Sequence, residues 1–152
     1  MKYWNDFEGS TFFNRVFGGL IEVGEIKLVS MVMDSVGSAV TLSFNIKELP
    51  DKPPLKWRSI EYNACRIGFA CDEVSEINVK NLPTTSLMKV SIERHDSRFR
   101  ISVVAGNSSI DFTAAHLRLG DPSVYFTDDV YWVLRCSSCS CIVCCETLQL
   151  IS

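Results

Sequence analysis

The sequence predicts a mainly β fold (alternatively α+β): an antiparallel meander of about six or seven strands with one short N-terminal helix packed against it. Three observations carry this. Apolar and polar residues alternate with a period of two over most of the chain beyond Glu25. Turn residues interrupt that alternation at short intervals, and apolar residues recur at helical spacing only near the N-terminus.

Ser10 through Gly18 reads as the helix, with Ser10 at the N-cap position, Phe12, Phe13, Val16 and Phe17 on one face, and Gly18-Gly19 as the stop. The aromatic stripe is expected to pack on the core. Ile26, Leu28 and Ser30 form a less regular strand. Asp34-Ser35-Val36-Gly37 turns the chain into a clearer one, where Val40, Leu42, Phe44 and Ile46 share a face. Leu49-Pro50-Asp51-Lys52-Pro53-Pro54 holds three prolines in five residues and must be a loop. Lys56-Trp57 follows it.

Cys65, Ile67, Phe69 and Cys71 share one parity in the next strand, so both cysteines read as small buried residues. Their spacing along one side of a strand does not suit a mutual disulfide. Ile77 to Val79 is a short segment ended by Asn81-Leu82-Pro83. The clearest hairpin places Met88, Val90 and Ile92 against Phe99, Ile101 and Val103 across a His95-Asp96-Ser97 turn. Gly106-Asn107 turns into Ile110, Phe112 and Ala114. Leu117 and Leu119 then change parity, which predicts a bulge near Ala114-Ala115. Gly120-Asp121-Pro122 closes the pattern. Nearest-neighbour pairing is the simplest topology. Either the sheet folds on itself or the helix covers one face. Residues 1–129 read as a single globular domain and residues 130–152 as a Cys-rich C-terminal extension.

Composition narrows the function. The chain has 152 residues, 47% hydrophobic and 22% charged, which excludes disorder. A net charge of -3 argues against a general nucleic-acid binder. The first residues lack the apolar core of a secretory signal, and no apolar run is long enough to span a membrane, so a cytoplasmic protein is expected. Asn107-Ser108-Ser109 matches a glycosylation acceptor, but without an export signal it reads as a turn.

Catalytic signatures are missing. There is no phosphate-cradling glycine loop, no nucleophile elbow and no pair of histidines at metal spacing; His95 falls in a turn and His116 in a strand. No enzyme activity and no cofactor are therefore expected. The cysteines at 136, 139, 141, 144 and 145 hold the one unusual pattern. Two CxxC units could bind a soft metal through thiolates, but a single residue separates them where structural zinc sites have about 12 or more. The cluster is read either as an intracellular metal- or thiol-binding module or as an incidental extension.

The order of features resembles the immunity protein 50 family of bacterial polymorphic toxin systems. The resemblance rests on Trp4, Phe7, Phe13 and Phe17, then on Val40-Thr41-Leu42-Ser43-Phe44 leading into the proline loop and Lys56-Trp57, and on the strand pairs from Tyr62 to Phe112. The segment from Val130 onward has no counterpart in it. The resemblance implies a small cytoplasmic protein that binds a cognate toxin protein and blocks it, with no chemistry of its own. It implies neither a nucleic-acid nor a membrane partner, and leaves oligomeric state open.

A rigid sheet face suits that task, because rigidity lowers the ordering cost of binding and charges select the partner. The outward residues of the clearest hairpin are Lys89, Glu93, Arg98 and Arg100, with Asp111 on the next strand. They form either a partner-binding set or a merely solvated face. Trp57 beside the proline loop reads as an interface anchor or as a cover for the core edge. A deep pocket lined by polar side chains would instead favour a small enzyme.

Overall fold

The strands that alternate most strictly are also the ones that build the core. In the computed structural model, which describes residues 1–82 and 87–128, nine strands form an antiparallel sheet. These are β1 (Glu25–Asp34), β2 (Ala39–Ile46), β3 (Ala64–Asp72), β4 (Ser75–Lys80), β5 (Met88–His95), β6 (Arg98–Ala105), β7 (Ser108–Ala114), β8 (His116–Leu119) and β9 (Ser123–Tyr125). The class is as expected, with more strands than the alternation alone resolves. The order across the sheet is β4-β7-β6-β5-β1-β2-β3-β8, with β9 also pairing with β3.

Two local meanders, β1-β2-β3 and β5-β6-β7, supply most of this order. They meet at a seam of only two register pairs, Glu25 with Lys89 and Ile26 with Met88. A nearest-neighbour chain of pairings does not describe the remainder, since β4 closes on β7 and β8 on β3. The parity change at Ala114 is a strand break, not a bulge. β7 ends there paired with β6, and β8 begins at His116 paired with β3. The Ala115 N–H, between them, donates to the Asp72 carbonyl at 3.1 Å. The irregularity in register lies instead in β1, between Leu28 and Ser30, which explains the poor alternation there.

The sheet folds on itself. Val40, Leu42, Phe44 and Ile46 of β2 and Ile67 and Phe69 of β3 join Val90, Ile92, Ile101, Val103, Ile110 and Phe112 in one buried cluster. Burying such side chains contributes roughly 1.5–3 kcal/mol each relative to exposure. The N-terminal segment adds a lid. A 3-10 turn (Trp4–Asp6) and α1 (Thr11–Val16) insert Trp4, Phe7, Phe13, Val16 and Phe17 into the same cluster. Phe44 has the Trp4 ring at 5.3 Å and the Phe69 ring at 5.7 Å, centroid to centroid.

Ser10 occupies the N-cap position of α1, but its hydroxyl donates to the Asn5 carbonyl at 2.9 Å and does not cap the helix. The proline loop is tied to α1 from below. The Gly18 N–H donates to Asp51 Oδ1 at 2.7 Å, and the Lys52 N–H to the Val16 carbonyl at 2.9 Å. One further helical turn, α2 (Leu55–Arg58), follows Pro54. Among the described residues no helix is long and apolar enough to cross a membrane.

Candidate functional site

Hydrogen-bonding register brings five of the six expected partner-binding residues onto one unbroken face. On β5, β6 and β7 the alternate residues Val90, Ile92, Ile101, Val103, Ile110 and Phe112 are buried, so Lys89, Glu93, Arg100 and Asp111 point away from the core. Glu93 stands opposite Arg100, and Lys89 opposite Val104. Asp111 stands between Ser102 of β6 and Asn78 of β4. The Glu93 carboxylate is engaged along its own strand, with His95 Nε2 at 2.9 Å from its Oε2. This face is mostly polar and is carried by β5, β6 and β7, each of which is paired on both sides.

Arg98 lies on the same face and acts as a clamp. Its guanidinium donates to the Glu73 carbonyl at 2.7 Å, to Ser75 Oγ at 3.0 Å and to Thr113 Oγ1 at 3.2 Å. Those contacts tie the start of β4 to β6 and β7, and all three are made by one terminal nitrogen of the guanidinium.

Trp57 is not an exposed aromatic. Only 8% of it meets solvent, and its ring stands edge-on to Phe12 at 5.6 Å. The Lys56 ammonium lies 5.9 Å from the Trp57 ring centroid and 5.7 Å from that of Phe12. Of the two readings of Trp57, the structure shows the cover over the core edge. The tether between the proline loop and α1 accounts for it, because that loop sets Trp57 down beside Phe12.

The opposite half of the sheet carries a concave feature. On the outer side of β2, β3 and β8 a groove of about 300 Å³ is lined by Ser43, Arg66, Gly68, Ala70, Arg118 and Asp121, among others. At Gly68, β2 and β3 approach too closely for a side chain. A Cβ there would lie 2.3 Å from the Leu42 carbonyl oxygen. The Gly120 N–H donates to the Gly68 carbonyl at 2.8 Å, which draws the end of β8 alongside. Arg66 lies with its guanidinium carbon 4.7 Å from the centre of the Tyr125 ring. Arg118 reaches Glu8 at 3.4 Å. The groove contains no histidine or cysteine among its lining residues, and Asp121 is its one carboxylate.

Sequence reasoning missed Arg66, Gly68 and Arg118. A glycine inside a strand does mark close backbone approach or an open site, and Gly68 interrupts the outward side of β3. The register that places Arg118 two strand positions from it, opposite Ala70, has no local signal.

A second cavity, of about 530 Å³, lies at the β1–β2 turn, between Met33, Asp34 and Ser38 on one side and Val74, Glu76 and Ile77 on the other. Ser38 and Ser75 line it together with the carboxylates of Asp34 and Glu76.

Cys65 and Cys71 are free and buried. Burial, and then the charge of Glu48 for Cys65 and of Asp72 for Cys71, pushes both thiols up to about 12. They stay protonated and are poor nucleophiles and metal ligands. Among the described residues no group of three or more His, Cys, Asp or Glu could hold a metal ion. The cluster at 136–145, and with it the metal- or thiol-binding alternative, lies outside the described residues.

Residues 9–125 match the family model described as Immunity protein 50. No curated protein matches the chain, and no solved structure does. The matched span runs from just before α1 to the end of β9 and includes both outer faces described above.

Proposed function

The chain belongs to the immunity protein 50 family, and from that membership we propose that it is a non-catalytic inhibitor: it binds a cognate bacterial toxin in the cytoplasm of the cell that makes both and blocks the toxin's action. The observation that carries the reading is the extent of the family match, which covers every strand of the sheet. The site chemistry supports it. The β5-β6-β7 face offers Lys89, Glu93, Arg100 and Asp111 on a preformed surface. Such a surface binds with little ordering cost, and its mixed charges select one partner over others.

Co-expression with the toxin encoded beside it tests the proposal. Growth should be restored, and the two proteins should co-purify. Reversing charge at Lys89 and Arg100 together should weaken the complex while leaving the thermal transition in place. Growth arrest in spite of soluble chain, or turnover of the toxin by the chain, contradicts the proposal.

A further inference from the structure

We propose that the groove on the outer side of β2, β3 and β8 is a carboxylate-binding site, which seats one Asp or Glu side chain from an exposed loop of the protein partner between Arg66 and Arg118. This rests on the reading of the chain as a protein-binding module and names a contact on the opposite half of the sheet from Lys89 and Arg100.

Charge and shape support it. The chain as a whole carries -3, yet this groove is lined by two arginines against one aspartate. Its volume of about 300 Å³ suits a side chain, not a folded segment. Guanidinium groups match carboxylates in planar, two-point geometry, and burial at an interface strengthens the pair.

Arg66 is held ready. Its guanidinium lies over the Tyr125 ring, 4.7 Å from the ring centre. Its Nε is shielded from solvent and has no hydrogen-bond partner among the described residues. A buried donor left unpaired is costly. A carboxylate that draws the guanidinium outward supplies the missing acceptor. Among the described residues Arg118 pairs with Glu8 through a long contact, 3.4 Å, between two exposed side chains, and an incoming carboxylate competes with that contact at little cost.

Asp121 narrows the ligand class. It lines the same groove and repels additional negative charge. The site therefore takes a single carboxylate and disfavours a polyanion such as a nucleic-acid backbone.

The probe is a blocked pentapeptide, acetyl-Gly-Gly-Glu-Gly-Gly-amide, beside its Gln counterpart and inorganic phosphate. Each is titrated into the full chain at low salt and followed by amide chemical shifts. The Glu peptide should give saturable shifts at Ser43, Gly68, Ala70 and Gly120, and the Gln peptide none. Arg118→Gln should weaken binding by about tenfold, as for loss of a charge-assisted contact. Ala70→Glu introduces an acid on the exposed floor without removing packing, and should abolish the response while the remaining spectrum stays dispersed. Equal shifts from the Gln peptide, the absence of saturable shifts at these amides, an unaltered response in Ala70→Glu, or tighter binding of phosphate would each overturn the proposal. None of these readouts involves the toxin, so the groove can fail while growth protection by the chain stands.

Discussion

Asn63 and Thr127 hold each other through a closed pair of hydrogen bonds. Asn63 Nδ2 donates to the Thr127 carbonyl at 2.8 Å, and the Thr127 N–H donates back to Asn63 Oδ1 at 2.9 Å. The Asn63 N–H also donates to the Tyr125 carbonyl at 3.1 Å. One side chain at the entrance to β3 therefore anchors β9 and the residues after it. Asn63→Ala removes both side-chain bonds and should cost about 1–3 kcal/mol, since each net bond contributes about 0.5–1.5 kcal/mol. The measurement is the urea midpoint at an unchanged slope. Asn63→Asp keeps the acceptor and loses the donor, and should fall between the two.

The core prediction concerns Phe44. It is fully buried and meets Trp4 from the N-terminal lid and Phe69 from β3. Its loss therefore loosens the joint between lid and sheet as well as leaving a cavity. Phe44→Ala should cost ~3–5 kcal/mol. Calorimetry of the two proteins checks it, and a cost below ~1 kcal/mol would place the ring outside the cooperative core.

What could be read from the sequence follows from burial. β2, β5, β6 and β7 were legible because one face of each meets the core, so alternation records it directly. In β4 all six residues are exposed, and exposed strands leave no apolar period to read. β1 carries a register shift between Leu28 and Ser30 and exposes Val32 and Met33, which blurs its pattern. The seam between Glu25–Ile26 and Met88–Lys89 is invisible because it joins segments distant in the chain by two pairs. The same reason hid the groove, where Arg66 and Arg118 come from strands paired only through long-range register. Lys89, Glu93, Arg100 and Asp111 were legible as a set because outwardness is a local property. That Trp57 turns inward was not, because it depends on Asp51 and Lys52 docking the proline loop on Gly18 and Val16.

The thiols of β3 should be protected in the folded chain. Cys65 and Cys71 are fully buried, and both are pushed up to about 12, so neither the thiolate nor access to it is present near neutral pH. Brief treatment of the native chain with iodoacetamide, followed by peptide mass mapping, should leave both unmodified. The same treatment in denaturant should label both. Rapid native labelling at either position would show that β3 opens locally.

The final prediction concerns pH. Glu48, just past the end of β2, is half-buried. Burial raises its carboxyl above the ordinary value, and the charge of Glu22 adds to this, against the opposing pull of its own backbone N–H and of Lys47. The folded state therefore holds that proton more tightly than the unfolded chain does. The sign follows from linkage: where the native state binds more protons, stability falls as pH rises. The contribution is fully present below the ordinary carboxylate range and is lost as pH climbs through the raised value. Glu48→Gln removes the titration while keeping the shape of the side chain. At acidic pH the two proteins should unfold at closely similar temperatures. With rising pH the variant should gain on the wild type, and the difference should level off once the wild-type carboxyl is ionised in both states. Thermal unfolding of both proteins from about pH 4 to about pH 8 measures this difference. A wild type that gains on the variant with increasing pH would mean that Lys47 and the backbone N–H outweigh burial at this position.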